Sequence, residues 1–143
     1  MSEDDQDPDT GSGSPAPGFT IKNIEEVEDA VKARGGGDFA EVRFASGDLG
    51  LVQGGFSHHR INSGQRQPFG HEHNQAEELY VVIAGSGRVK LDDEIHEIAR
   101  LDAIRVGPEV KRAFEAGPDG IEFLAFGQHF EKDGRILPDW WID

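Results

Sequence analysis

The most informative stretch of this sequence is residues 68–89, which read PFGHEHNQAEELYVVIAGSGRV. It places His71 and His73 two positions apart, and Glu78 follows at the start of an apolar segment. Residues i and i+2 of an extended chain point to the same face, so both imidazoles can be presented to one point. Residues 74–77 read as a turn, after which the carboxylate of Glu78 could be brought to that same point.

Two imidazoles and one carboxylate form a ligand set that suits iron(II), and also zinc, manganese or nickel, with open positions for a substrate. The chain has no cysteine, which excludes disulfides, thiolate zinc sites, iron–sulfur clusters and cysteine nucleophiles. Any metal must therefore be held by His, Asp or Glu. We predict His71, His73 and Glu78 as a candidate site for a divalent metal.

The rest of the chain after Phe39 reads as short strands separated by turn residues, and no strand alternates with a long helix. This pattern predicts an all-β sandwich or barrel and excludes a doubly wound nucleotide-binding fold. The predicted strands are Phe39–Phe44, Leu49–Gly55, Leu79–Ala84, Arg88–Leu91, Ile95–Ile98, Ala103–Val106, Lys111–Ala116 and Ile121–Phe126.

The N-terminal part of the chain divides into two segments. Residues 1–18 are acidic and polar and contain no Ile, Leu, Val or Phe, which predicts a disordered tail. Asn23 resembles an N-cap, and apolar residues follow at helical spacing until the glycines of residues 35–37, so we predict one short amphipathic helix. The predicted domain is residues 19–143, which ends in an apolar tail containing Trp140 and Trp141.

Composition narrows the class of protein. The 143 residues suffice for one domain with a core. The 28 acidic residues outnumber the 14 basic ones, giving a net charge of −14, which argues against nucleic acid or an anionic membrane as a partner. The sequence shows neither a membrane helix nor a secretory signal, so we expect a cytoplasmic protein.

The order of these residues resembles a known family. His71, His73, Glu78 and Gly85 satisfy the pattern His-x-His, four residues, Glu, six residues, Gly, which resembles the first signature motif of the cupin superfamily. Residues 102–108, DAIRVGP, look like the opening of the second cupin motif, and the resemblance covers roughly residues 56–126. It implies a double-stranded β-helix, or jelly roll, with a small-molecule site inside the barrel and often a homodimer. Because this fold hosts many enzymes and also plain binding proteins, the resemblance leaves the reaction open.

The second motif departs from the family at one position. Cupins that hold a metal usually take a fourth ligand, a histidine, from this motif, and here Arg112 stands in its place. An arginine is effectively always protonated and cannot ligate a metal. Two arrangements are open: Arg112 turns away and a three-ligand metal site remains, or Arg112 pairs with Glu78 and replaces the metal. In the second case the guanidinium could bind an anionic ligand, or it could simply fill a site that has lost its binding function.

Four residues are candidates for contacts with a ligand. Arg112 is the first, and Phe114 shares a strand face with it. Tyr80 shares a face with Glu78 and can line the pocket, whereas Arg66 can rim the mouth of the pocket and attract an anionic ligand. Core packing for the two aromatic residues and a plain surface role for Arg66 are the competing interpretations.

Two other features have open roles. Of the neighbouring His58 and His59, only one can face the pocket, as a substitute fourth ligand, and partly exposed groups at a strand end are the commoner outcome. The two tryptophans of the tail are expected against the barrel or across a dimer interface.

Overall fold

The computed structural model describes residues 18–141. The predicted disordered tail, except for its last residue, and the final two residues of the predicted domain lie outside this range. The elements, in chain order, are a 3-10 turn at Ile24–Glu26, helix α1 (Ala30–Ala33), strand β1 (Ala40–Phe44), helix α2 (Ser46–Leu49), and strands β2 (Gly55–Ile61), β3 (Gly70–His73), β4 (Glu78–Leu91), β5 (Glu94–Ala99), β6 (Ala103–Val106), β7 (Arg112–Gly127) and β8 (Gly134–Leu137). The predicted all-β class is confirmed.

Two long antiparallel strands, β4 and β7, hold the sheet together. They pair from Glu78↔Gly127 to Leu91↔Arg112, with register shifts around Gly85. A β-bulge increases the local twist and bends a strand, so these irregularities let one sheet curl over an interior. Gly85 is required at the bend, because its φ is +74° and a Cβ atom there would lie 2.1 Å from the carbonyl oxygen of Gly120.

The remaining strands extend this pair in two directions. One path of neighbouring strands runs β1-β2-β7-β3-β8, while β4 also pairs with β5 and β6. All the pairs are antiparallel, as expected for a jelly roll. The interior is filled by buried apolar side chains, among them Tyr80, Val82, Val89, Val106, Phe114 and Phe123.

The predicted N-terminal helix forms only in part. Asn23 does act as an N-cap and accepts a hydrogen bond from the backbone N–H of Glu25. However, Val27 is extended, with φ −77° and ψ 142°, and this ends the turn. Asp29 then starts the separate one-turn helix α1 by accepting from the N–H of Val31. Two local caps in quick succession thus divide the predicted helix.

The predicted strand Leu49–Gly55 is wrong. Residues 46–49 form helix α2, which Gly50 ends with a left-handed φ of 73°. The strand begins only at Gly55 and runs on through both histidines to Ile61. Strand β8 was not predicted, and within residues 18–141 no helix is long and apolar enough to cross a membrane.

Candidate metal centre

Strands β3 and β4 bring the predicted metal ligands together. His71 and His73 alternate along β3 with the buried Gly70 and Glu72, so both imidazoles leave the same face of the strand. Glu78 is the first residue of β4. One ligand atom from each of His71, His73 and Glu78 lies within 4.8 Å of the other two. The extended geometry predicted for residues 71–78 therefore juxtaposes these three side chains.

One carboxylate oxygen, Glu78 Oε1, is the centre of the cluster. The Tyr80 hydroxyl donates to it at 2.7 Å, and Arg112 Nη2 donates at 3.1 Å. The Nε2 atoms of His73 and His71 lie 3.1 Å and 3.6 Å from the same oxygen. A carboxylate oxygen has about two lone-pair directions, so four groups converge on an oxygen that ordinarily accepts about two hydrogen bonds. An ion held by Glu78 and the two imidazoles would take the place of the histidine contacts.

The electrostatics of the cluster keep Glu78 ionised and Tyr80 neutral. Burial alone would raise the pKa of the Glu78 carboxyl, but hydrogen bonds and charge from His71 and His73 hold that pKa well below its usual range. Burial, together with the Glu78 charge, raises the pKa of the Tyr80 phenol well above its ordinary value. The site therefore contains a carboxylate and a phenol that keeps its proton to donate.

Arg112 lies against the cluster rather than turned away from it. It is 0% exposed, and it is the β7 residue paired with His71 on β3. Its Nη1 donates to the carbonyl oxygen of Val110 at 2.9 Å, and its Nη2 contacts Glu78. Of the two predicted arrangements, the structure has the pairing with Glu78, yet both imidazoles also remain directed at the same oxygen.

An aspartate that the sequence analysis did not single out lies behind His73. The Oδ2 atom of Asp133 is 3.4 Å from His73 Nδ1, on the side of the ring away from Glu78. Asp133 also accepts hydrogen bonds from the backbone N–H groups of Gln75 and Ala76, at 2.7 Å and 3.0 Å. It precedes β8, whose residues pair with β3 from Gly70↔Leu137 to His73↔Gly134.

The cluster forms part of the wall of a cavity of about 260 Å³ inside the barrel. His71, Glu78, Tyr80 and His59 contribute polar groups to this wall. Most of the remaining wall is apolar, and it includes residues of α1 and β1 as well as Ile61, Pro68 and Phe69. The cavity therefore has one polar end at the candidate metal ligands and largely hydrophobic sides.

Of the two adjacent histidines, His59 is the one that lines the cavity. Its ring stacks on Phe123 at 4.7 Å and 9°, and its Nε2 contacts the Ser57 hydroxyl at 2.8 Å. Burial lowers the pKa of His59 to about 3, although the Glu78 charge acts in the opposite direction, so the imidazole is neutral. His58 is buried on the other face of the strand, where its Nε2 contacts Glu122 Oε2 at 2.5 Å.

Two of the four residues predicted to contact a ligand, Phe114 and Arg66, do not line the cavity. Phe114 is fully buried in the core, 4.9 Å from the ring of Tyr80. Arg66 pairs with Glu115 at 2.5 Å, and its guanidinium stacks over the ring of Trp141 at 4.5 Å. Both therefore have structural partners, and only Tyr80 and Arg112 of the four candidates contact the metal-ligand cluster.

The tryptophan tail packs on the barrel, which is one of the two outcomes predicted for it. Lys90 Nζ lies 4.1 Å from the centre of the Trp140 ring and donates to the Trp140 carbonyl oxygen at 2.8 Å. The Trp141 indole N–H donates to the carbonyl oxygen of Gln67 at 2.8 Å. The tail therefore packs against the segment that leads into β3.

The donor set fits a divalent metal ion. Two imidazoles and a carboxylate converge within the distance that one ion can span, and a carboxylate behind His73 occupies the outer position that commonly orients a metal-binding imidazole. A group of Nε2 and carboxylate donors without thiolates suits the first-row ions from manganese to zinc.

No protein-family model matches the chain, and no curated protein sequence matches it. Comparison with solved structures does find the fold. A cupin protein from Bacteroides fragilis is 21% identical with a TM-score of 0.64, over 90% of this chain and 91% of that chain. The polyketide cyclase RemF from Streptomyces resistomycificus is 16% identical with a TM-score of 0.66, over 87% of each chain.

A nucleoside dehydratase from Streptomyces, also solved with uridine, is 15% identical with a TM-score of 0.65, over 83% of this chain and 91% of that chain. Proteins with these varied activities share the architecture described above, so this chain has the jelly-roll fold of the cupins. At these levels of identity the similarity defines the fold, and the chemistry must be argued from the site.

Proposed function

We propose that this protein binds a small molecule in the barrel cavity, beside a divalent metal held by His71, His73 and Glu78. The observation that carries the proposal is the convergence of these three ligand atoms within 4.8 Å of one another, with His71 and Glu78 on the wall of a cavity of about 260 Å³. Ligand sites in proteins are typically concave and mostly apolar, with a few convergent polar groups. The cavity has this combination.

The shape of the cavity favours a compact and largely apolar ligand with an oxygen at one end. Phe39, Phe44, Phe69 and Tyr80 contribute aromatic side chains to its lining, and the neutral His59 adds no charge there. An apolar ring would bury its surface against these walls, while its oxygen would face the polar end. Arg34 contributes a cationic side chain to this lining, but a ligand with several charges would leave most of them without partners.

The residues at the polar end of the cavity have different roles. His71, His73 and Glu78 would hold the ion, and a bound divalent ion supplies a Lewis acid that can polarise an oxygen of the ligand. Tyr80 holds Glu78 in place through its hydroxyl, and its raised pKa keeps that hydroxyl protonated. The apolar lining excludes bulk water from the ligand oxygen.

A second candidate function follows from the position of Arg112. Its Nη2 lies 3.1 Å from Glu78 Oε1, with no exposure to solvent. In this case the guanidinium takes the role of the metal, and the site binds an anionic ligand between Arg112 and the imidazoles. A carboxylate or phosphate would then be the recognised group.

Metal analysis distinguishes the two functions. Untagged protein, purified without chelator, is analysed by elemental mass spectrometry beside the His71→Ala/His73→Ala double variant. A His96→Ala variant serves as the control, because His96 is exposed and its side chain contacts Glu94 at the surface. Near-stoichiometric metal that is lost only in the double variant supports the metal site. Wild-type protein that takes up none of iron, zinc, manganese or nickel contradicts it and favours the anion-binding function.

A further inference from the structure

Asp133 lies in the loop before β8, and its carboxylate is buried, whereas a carboxylate in a loop is ordinarily solvated. Only 4% of the residue is exposed, and it lies close to His73 Nδ1, at 3.4 Å, and to two backbone N–H groups. A buried charge is costly unless it is compensated by partners. These partners belong to residues 73–76, the segment that joins the two imidazoles to Glu78.

The contact of Asp133 with the His73 ring bears on which ring nitrogen carries the proton. A neutral imidazole carries its proton on one nitrogen and a lone pair on the other. When an ion occupies the cluster, Nε2 of His73, which lies 3.1 Å from Glu78 Oε1, would offer its lone pair to the ion, so the ring proton would be on Nδ1. The Asp133 carboxylate is placed to accept a hydrogen bond from that Nδ1–H group and to fix the orientation of the ring.

The backbone contacts act on the same segment. Asp133 accepts from the N–H groups of Gln75 and Ala76, and its own carbonyl oxygen accepts from the N–H of Asn74 at 3.0 Å. These bonds shape the connection between β3 and β4. One side chain therefore influences both the orientation of His73 and the path of the chain to Glu78.

We propose that Asp133 is a positioning residue of the metal centre: it orients the ring of His73 from the Nδ1 side and holds the turn that brings Glu78 beside it. This inference rests on the proposed metal-binding function. Groups that orient a metal ligand from behind typically change metal affinity about 10–100-fold when they are replaced. Asp133 lies 55 residues beyond Glu78 in the sequence and outside the recognised motifs.

The test is an Asp133→Asn variant with Asp139→Asn as its matched control. Asp139 is exposed, lies in the same C-terminal segment and has a φ of 56°, a conformation that asparagine tolerates well. Zn²⁺ affinity is measured by calorimetry for the wild type and both variants. We expect affinity to fall at least about 10-fold in Asp133→Asn and to stay unchanged in Asp139→Asn.

A second measurement separates positioning from a merely structural role. The Nδ1–H proton of His73 is observed by NMR in Zn²⁺-loaded protein. We expect a strongly downfield proton, hydrogen-bonded to a carboxylate, in the wild type and in Asp139→Asn, and an upfield shift or loss of that signal through exchange in Asp133→Asn. A purely structural role would lower the stability of the variant without moving this proton resonance.

The outcomes are distinct. Unchanged Zn²⁺ affinity in Asp133→Asn, or an unmoved Nδ1–H resonance, overturns the inference while leaving the metal site intact. Wild-type protein that binds no metal overturns the proposed function, and the inference with it. If Asp133→Asn does not fold, the wild type decides, because a His73 Nδ1–H proton without a downfield shift would contradict the inference.

Discussion

Replacing Arg112 by methionine removes a buried positive charge from the candidate metal centre while keeping a long side chain. A metal ion bonded to Glu78 would lie roughly 2 Å from its carboxylate oxygen, and Arg112 Nη2 is 3.1 Å from Oε1. An ion on that oxygen is therefore within about 5 Å of the guanidinium. Arg112→Met should consequently strengthen metal binding.

The size of the effect follows from Coulomb's law. A unit charge and a divalent ion about 5 Å apart repel by roughly 7 kcal/mol at an effective dielectric constant of 20. Relaxation of side chains and water in the cavity reduces this, and we expect about 3 kcal/mol to be recovered. Because about 1.4 kcal/mol corresponds to a factor of ten, the affinity for Zn²⁺ should rise on the order of 100-fold.

The same substitution should have the opposite effect on the metal-free fold. Removing one member of a buried ion pair leaves the other charge uncompensated and typically costs about 3–5 kcal/mol. We therefore expect Arg112→Met to unfold at lower urea concentration in the presence of chelator, and to regain stability when Zn²⁺ is added. The two measurements together distinguish a charge effect from simple loss of structure.

The assay is competition calorimetry with a chelator of known affinity, with circular dichroism to verify the fold. Arg105→Met is the control, because Arg105 pairs with Glu77 at the surface and its side chain is 69% exposed, so its removal should change neither quantity appreciably. A folded Arg112→Met variant whose Zn²⁺ affinity equals or falls below that of the wild type would refute the electrostatic reasoning.

Three further predictions concern other parts of the site. Tyr80→Phe deletes the hydroxyl that donates to Glu78, so urea unfolding should show a loss of about 1.5–3 kcal/mol, and an unchanged midpoint would contradict this. His59 has a folded pKa of about 3 and an unfolded pKa of 6.5. Because only the unfolded state gains its proton, metal-free protein should lose about 1.4 kcal/mol per pH unit as pH falls from 6.5 toward 3. His59→Phe should remove this dependence of the unfolding free energy on pH. If urea titrations from pH 4 to 7 show the same dependence in both proteins, it does not come from His59. Gly70→Ala places a Cβ atom 2.6 Å from the Trp140 ring, so tryptophan fluorescence should shift and the melting temperature should fall; an identical emission spectrum would indicate that the tail does not pack there.

The part of the site that lies within one short stretch was predictable. His71, His73 and Glu78 are close in sequence, and the two-residue period of an extended chain is enough to place both imidazoles on one face. The predicted all-β fold is confirmed for a similar reason, because turn residues and short apolar segments are local signals. The resemblance to the cupin motifs placed Arg112 at the position of a metal ligand but left open whether it turns away or pairs with Glu78, and the structure has the pairing.

Contacts between distant segments were not predictable in this way. Asp133 meets His73 across a separation of 60 residues, and no local pattern marks an aspartate that will be buried. His59 illustrates another obstacle: the face of a strand residue depends on the register of the strand. The predicted strand began at Leu49, whereas helix α2 delays the real strand to Gly55, so the histidines lie inside it rather than at its end.

The pairing of β3 with β8 has a consequence for the order in which the chain acquires its chemistry. Among the described residues, one pair, His71↔Arg112, joins β3 to β7, whereas four residue pairs join β3 to β8. The N-terminal parts of a chain are synthesised first, so strands β4 to β7 are made before the main partner of β3. His71 and His73 would therefore acquire their native positions only after β8 has been synthesised.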